Sequence, residues 1–304
     1  MIVNQSNMDT LFRSFRVTFN EALTAAPVDV DRLSTPIPCQ TTKQELPLGF
    51  LAMTMREWLG PRHVQNLAAW TMTVTPKHYE ATIGVNRDTL EDDQYGIYDL
   101  AIKAMASEGA RDPYDRLITM LASGGAAWSS TDTIDSVAFF SAAHTWAGGE
   151  YTTAQGNTVT TAFSEAAVWT ALEAMRDYKN PNGKAMNIAP DTLLASTSLM
   201  SDAADVFNQP VQATGESNTL YGRIKPENQL FDGNLTTGYW MLLATGKPIK
   251  PFGHARRKPV ELVAKTKLDD DNVFSLNEFQ YGIDYRGCPL PLAWWLAYGS
   301  TGAG

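Results

Sequence analysis

WTMTVTPKHYEATIGV, residues 70 to 85, reads as two strands joined by a turn. Trp70, Met72 and Val74 alternate with threonines, and Tyr79, Ala81, Ile83 and Val85 alternate with Glu80, Thr82 and Gly84. Both runs therefore have the period of two that puts one side-chain set on each face of a strand. Thr75-Pro76-Lys77-His78 lies between them and supplies the turn. A two-stranded hairpin alone is at best marginally stable in water, so this one is expected to lie against another surface, and not necessarily one of its own chain.

Upstream, Asn7 is placed to cap a helix in which Met8, Leu11, Phe12, Phe15, Phe19 and Leu23 recur at steps of three and four. That apolar stripe also needs a partner. From Ala25 to Leu48 the chain turns to Pro, Thr, Asp and Gln, and Pro27, Pro36, Pro38 and Pro47 forbid a continuous helix, which gives an extended arm and not a domain.

Downstream, residues Gln94 to Ser123 carry a helical pattern through Ile97, Leu100, Ala101, Ala104, Met105, Leu117, Ile118 and Leu121. At 1.5 Å per residue it would reach roughly 40 Å, with Pro113 expected to kink or divide it. Gly124-Gly125 ends it. Ala126 to Ala162 read as loops and short strands around the apolar knot Val137-Ala138-Phe139-Phe140. Ser164 then caps a helix to about Tyr178, with Phe163 and Val168 as a hydrophobic staple, stopped by Asn180-Pro181-Asn182-Gly183. A strand near Leu193, a helix from Ser198 to Phe207 and an apolar strand from Tyr239 to Leu243 follow. The last part alternates through Val260, Leu262 and Ala264, turns at Asp269-Asp270-Asp271-Asn272, and alternates again through Phe279, Tyr281, Ile283 and Tyr285. These pieces predict an α+β fold, a central sheet flanked by helices, without internal repeats.

Composition narrows the function. With 44% hydrophobic and 19% charged residues in 304, the chain can bury a sizeable core. A net charge of −9 argues against a generic nucleic-acid binder. The front of the chain lacks a basic segment followed by a long apolar one, and Leu290 to Tyr298 is too short to span a bilayer, so neither secretion nor membrane insertion is expected. Cys39 and Cys288 have no metal or redox spacing and are expected to be free thiols in a reducing cytoplasm.

No catalytic signature survives inspection. Gly233 to Gly238 is followed by Tyr239 where a phosphate-binding loop needs Lys. His63, His78, His144 and His254 are far apart, with no pair at the spacing that sets two metal ligands on one helix face. A calcium loop starting at Asp269 would put Phe274 at the obligatory glycine and Gln280 at the ligating Glu. Ser141, His144 and Asp135 can be drawn as a hydrolytic triad, but nearness in sequence is not triad geometry. Trp294-Trp295 and Tyr298 are assigned to core and not to a ligand platform. No catalytic residue, cofactor or metal is therefore assigned. Arg256-Arg257-Lys258, the one dense basic run, reads equally as a solvated loop or as a contact to a neighbouring subunit.

Several spaced blocks resemble the Mu-like phage major head subunit, whose members are similar to the HK97-type capsid fold. They are MIVNQSNMDTLFRSFRVTFN at the front, Arg56-Glu57-Trp58-Leu59-Gly60 leading to Asn66-Leu67, Glu91-Asp92-Asp93-Gln94-Tyr95-Gly96, Ile249-Lys250-Pro251-Phe252, Tyr281-Gly282-Ile283-Asp284-Tyr285-Arg286-Gly287, and Leu296-Ala297-Tyr298-Gly299-Ser300. The chain departs from the pattern at Phe139-Phe140, followed by Ser-Ala-Ala-His144 in place of Asp-His-Pro, and at Pro289 and Pro291, where small residues are usual.

The resemblance implies an HK97-like division of the chain. Residues 1–50 would be the N-terminal arm, 51–67 a connection and 68–92 an extended two-stranded E-loop. Residues 93–160 would be a peripheral domain on a long spine helix, 161–250 an axial domain with a central sheet and flanking helices, and 251–304 a return to the peripheral domain whose end rejoins the axial sheet. The implied function is that of a tailed-phage major capsid protein that assembles with itself into hexamers and pentamers of an icosahedral head around double-stranded DNA. It would bind that DNA without sequence specificity, touch no membrane, assemble in the host cytoplasm and work with scaffold, portal and decoration proteins. The alternatives are an encapsulin-type cellular shell and a hydrolase using His144. Contacts between subunits are expected from arm and hairpin, at Phe12, Phe15, Phe19, Thr75, Pro76, Lys77 and His78, and from Arg256 and Arg257. Deleting residues 71–84 is then expected to leave a soluble subunit that forms no shells.

Overall fold

The computed structural model describes residues 5–26, 29–48, 55, 60, 71–92, 96–122, 135–146, 151–212, 215–267 and 269–302. Trp70, Arg56 to Leu59, Asn66, Leu67 and Asp93 to Tyr95 lie outside the described residues.

In chain order the elements are α1 (Gln5–Ala25), α2 (Asp29–Leu33), β1 (Ser34–Pro38), β2 (Gln44–Pro47), β3 (Thr71–Val74), β4 (Lys77–Asn86), α3 (Arg87–Glu91) and α4 (Ile97–Ala122). Then come β5 (Thr158–Val159), α5 (Glu165–Asp177), β6 (Thr192–Ser196), α6 (Met200–Phe207), β7 (Gln229–Asp232) and β8 (Trp240–Leu243). The chain closes with β9 (Phe252–Lys265), α7 (Asp271–Leu276), β10 (Glu278–Pro291) and β11 (Ala297–Ser300). The strands form a four-stranded sheet in the order β1-β9-β10-β4, a five-stranded sheet in the order β5-β11-β8-β6-β7, and the pair β2-β3.

The long hairpin is β9 with β10, two 14-residue antiparallel strands, and not the 70–85 stretch. The strands predicted at 70–74 and 79–85 are present as β3 and β4, with Lys77 and His78 of the expected turn already in β4, but they do not pair with each other. β4 runs antiparallel to β10 over its whole length, and β3 pairs with β2. Only Thr75 and Pro76 separate β3 from β4, Pro76 has no N–H to give to a ladder, and β3 is only four residues long. β10 instead offers ten partners and sets Tyr285 directly opposite Tyr79, where the rings stack at 5.2 Å and 23°. Met72 and Val74 are buried in the main core, so deleting residues 71–84 would remove core and sheet together and is expected to unfold the subunit, not to leave it soluble.

The front helix also finds its partner at home. Met8, Phe15 and Phe19 are buried with Ile102, Met105 and Ala106 of α4 and with Phe279, Tyr281 and Ile283 of β10, and Phe15 meets Tyr281 edge-on at 5.3 Å. The stripe of α1 and the strands at 71–86 thus find their partners within one copy and not on a neighbour. The stripe of α1 matches a groove between α4 and the sheet, and burying two phenylalanines there is worth roughly 3–6 kcal/mol.

α4 runs unbroken for 26 residues with Pro113 inside it, so the proline does not divide the helix. Gly109, one turn earlier, lets α4 lie directly on β9, since a Cβ there would stand 2.7 Å from Val260 Cγ1. At the sheet's other edge, β1 carries Pro36 and Pro38, as suits an edge strand that has no partner for their missing N–H groups.

The main core is built on the five-stranded sheet. α5 begins where Ser164 accepts a hydrogen bond from the Ala167 N–H and buries Val168, Ala171, Leu172 and Met175. β6 and β8 are buried along their whole length, as a central position requires. Asp191, just before β6, ties that strand to the end of β8 by accepting from Thr192 Oγ1, from the N–H and hydroxyl of Thr245 and from the Gly246 N–H. Burial raises its pKa, but these donors outweigh burial and leave the carboxyl below its usual range. β11 pairs with β8, so the last described strand belongs to this sheet.

Candidate functional site

The residues singled out for contact between copies fall into three groups. Phe15, Phe19 and Pro76 are buried within the chain, and Phe12 is partly buried against the same cluster as the two phenylalanines. Burial in a copy's own core withdraws Phe15 and Phe19 as surface anchors. Arg256 and Arg257 are half-buried. Arg256 pairs with Asp31 and donates from Nε to His254 Nδ1 at 3.1 Å, and Arg257 donates to Thr42 Oγ1 at 2.8 Å. Lys258 pairs with Asp284 at 2.5 Å. The basic run thus fastens α2 and the following loop to the sheet, as α2 and β1 bring Asp31 beside β9.

Thr75, Lys77 and His78 remain exposed. His78 Nε2 lies 3.1 Å from Asp284 Oδ2, while Thr75 and Lys77 line a groove of about 400 Å³ between β3, α4 and the end of β10. Its walls are Met72, Val74, Met120, Leu290, Pro289 and Pro291, with Tyr79, Cys288 and Arg116 beside them. Arg116 is held by Asp112 at 2.7 Å and lies 4.3 Å over the Tyr79 ring, so α4 fixes this wall. Cys39 and Cys288 are free thiols on opposite sides of β9, two strand spacings or about 9.5 Å apart, beyond the roughly 7 Å a disulfide can bridge.

At the far end of the β9–β10 hairpin, the turn expected at Asp269 to Asn272 carries α7, whose Phe274 and Leu276 are 92% and 60% exposed. Sequence reasoning passed over these residues by treating the segment as an acidic turn. The signal was the apolar pair in Val273-Phe274-Ser275-Leu276.

The triad drawn from the sequence does not assemble. His144 is fully buried, with Nδ1 2.6 Å from Asp135 Oδ2 and Nε2 3.1 Å from the Phe139 carbonyl and 3.2 Å from Asn157 Oδ1. The Ser141 hydroxyl instead accepts from the Ala143 N–H. The imidazole stacks on Trp294 at 4.2 Å and 2°, and Asn157 Nδ2 donates to the carbonyls of Phe139 and Trp294. This cluster pins residues 135–146 and 151–157 to the closing segment; both ring nitrogens are engaged, and neither faces Ser141. Among the described residues no group of three His, Cys, Asp or Glu side chains is placed to hold a metal ion.

His254 is a second buried imidazole, 2% exposed, with Nδ1 accepting from Arg256 and Nε2 without a partner among the described residues. Burial first, and the Arg256 charge second, push its pKa down to about 4. Because the unfolded chain takes up this proton near pH 6.5, stability is retained above that pH and lost as pH falls through about 4, by at most about 3 kcal/mol. Urea midpoints at pH 7 and pH 4.5 should therefore fall less for His254→Gln than for the wild type; equal losses would contradict this assignment.

The chain matches the family described as Mu-like prophage major head subunit gpT over residues 8–162, 157–226 and 225–303. It is 24% identical over 288 residues to the major capsid protein of Escherichia phage Mu, spanning 94% of this chain and 70% of that protein. In fold it is similar to the procapsid subunit of bacteriophage JBD30, with a TM-score of 0.62 and 22% identity over 98% of this chain and 76% of that one. It is also similar to the subunit of a virus-like particle from Pyrococcus furiosus, with a TM-score of 0.55 and 8% identity over 95% and 98% of the two chains. The two sheets, the α4 helix laid on the long hairpin and the match along nearly the whole length agree: this chain has the HK97-type capsid fold and belongs to the Mu-like prophage major head subunit family.

Proposed function

We infer that this head subunit assembles with further copies of itself into the closed icosahedral head of a tailed phage, around double-stranded DNA. The observation that carries the reading is the family match from residue 8 to residue 303, which takes in both sheets and both cores. The net charge of −9 fits a wall that encloses DNA and does not grip it. Location in the virion, assembly in the host cytoplasm, and scaffold, portal and decoration proteins as partners belong to the same reading. Catalysis has no place in it, since His144 serves the core.

The four-stranded sheet with α4 corresponds on this reading to the peripheral domain and the five-stranded sheet with α5 and α6 to the axial domain. The β2–β3 pair takes the role of the extended loop in place of residues 68–92, because β3 pairs with β2 and not with β4. Contacts between copies then join finished surfaces, and interfaces of such assemblies commonly exceed about 2,000 Å² when obligate.

The test is to produce the protein with the other head proteins of its phage and treat purified particles with nuclease. Shells of this protein retaining nuclease-resistant double-stranded DNA are expected. Shells that instead hold an enzyme would move the reading to a cellular compartment.

A further inference from the structure

Two surfaces that none of the described residues covers complement each other. The first is α7, presented rigidly. The buried Asn272 side chain donates to the carbonyls of Lys265 and Glu278 and so clamps both strands, and Val273 sits in the second core. Asn277 closes the helix in the left-handed region at φ 53°. Its carbonyl accepts from the Arg87 N–H, and its side-chain amide donates to Asp88. On this platform Phe274 is 92% exposed and Leu276 60%. The surrounding segment from Lys265 to Glu278 holds four carboxylates against two lysines. An aromatic held out on a rigid, acidic mount loses little entropy on docking, the usual condition of an interface anchor.

The second is the groove of about 400 Å³ beside β3, floored by Met72, Val74, Met120 and Leu290. Among the described residues, Lys77 and Arg116 are the only charged side chains that line it, so the groove these residues form is cationic where the tip is anionic. Arg116 already has Asp112, whereas Lys77 has no partner among the described residues. The tip stands at the Glu278 end of β10 and the groove at its Cys288 to Pro291 end. Ten or more residues of extended strand, about 35 Å, separate them. A copy cannot fill its own groove.

We propose that the α7 tip of one copy, led by Phe274, docks in the β3–β10 groove of the next copy, with the tip carboxylates facing Lys77. Because the contact joins two different surfaces of the same chain, it is heterologous, the type that builds rings when its rotation closes. The proposal rests on self-assembly and assigns the surfaces that perform it.

The native chain has only Cys39 and Cys288, and Cys288 lines the groove. The Ser275→Cys, Cys39→Ser protein, assembled and treated with diamide, should give on a non-reducing gel a ladder extending past the dimer. Each rung is a disulfide between the thiol introduced at position 275 of one copy and Cys288 of the next, with diamide taking the two hydrogens. The ladder should vanish with Cys288→Ser. Phe274→Asp should lose particles while leaving the subunit's thermal midpoint unchanged, since the side chain is exposed. Particles without the ladder, or Phe274→Asp particles in normal yield, would overturn the docking assignment and leave the shell reading intact. A wild-type protein that forms no particles would instead remove the self-assembly on which it stands.

Discussion

Trp294→Ala is expected to destabilise the subunit by about 3–5 kcal/mol, the cost of emptying a buried aromatic site. That is a large part of the 5–15 kcal/mol that holds a typical domain together, so soluble yield should collapse. The ring is 2% exposed, lies flat on His144, and meets Trp146, Tyr178 and Trp295 at centroid distances of 5.6, 5.4 and 5.7 Å. Its loss would open a void among rings anchored in three separate parts of the chain and expose the hydrogen bonds of His144 to water. Trp294→Phe keeps a ring over His144 and should lose much less, all the more because the indole N–H has no partner to forfeit among the described residues. Urea unfolding of the dilute subunit measures both. A stable Trp294→Ala protein would mean that the ring serves a surface ligand platform.

Phe19→Ala separates two views of the front helix. Phe19 is fully buried against α4 and the sheet, so the dilute subunit should lose about 3–5 kcal/mol in the same unfolding measurement. An arm lying on a neighbour would give no change in the dilute subunit and a loss only in particles. Phe12, which is only partly buried on the same helix, should lose less on the same truncation.

What was legible in the sequence depended on how local the signal is. Ser164 before an apolar stripe marks α5 to within a residue or two, because an N-cap and its helix lie within one turn. The alternations at 71–74, 77–86 and 278–285 are strands, since period two is a property of each strand by itself. Partner choice is not local. β4 pairs with residues about 200 positions away, and nothing in WTMTVTPKHYEATIGV distinguishes that ladder from a hairpin with its neighbour. The stripe of α1 announces a partner without naming it, and the partner is the chain's own α4. β7, in a polar stretch, shows no alternation and went unread, because its place at the end of the five-stranded sheet is set by β6. The Asp135–His144 pair was visible as a spacing, but its meaning lay in Asn157 and Trp294, which only the fold brings beside it. The family, by contrast, was readable from blocks spread along the chain, since ordered spacing over a whole length survives errors about any one pairing.

On the proposed reading each copy packs α1 and β4 within itself, and copies folded in this way join through their outer surfaces into a shell. A cryo-electron-microscopy reconstruction of the purified protein under assembly conditions tests it most directly. Closed icosahedral particles are predicted, in which every subunit keeps α1 on its own α4 and β4 on its own β10. Dispersed monomers at high concentration, or shells in which those two elements cross to a neighbouring copy, would contradict it.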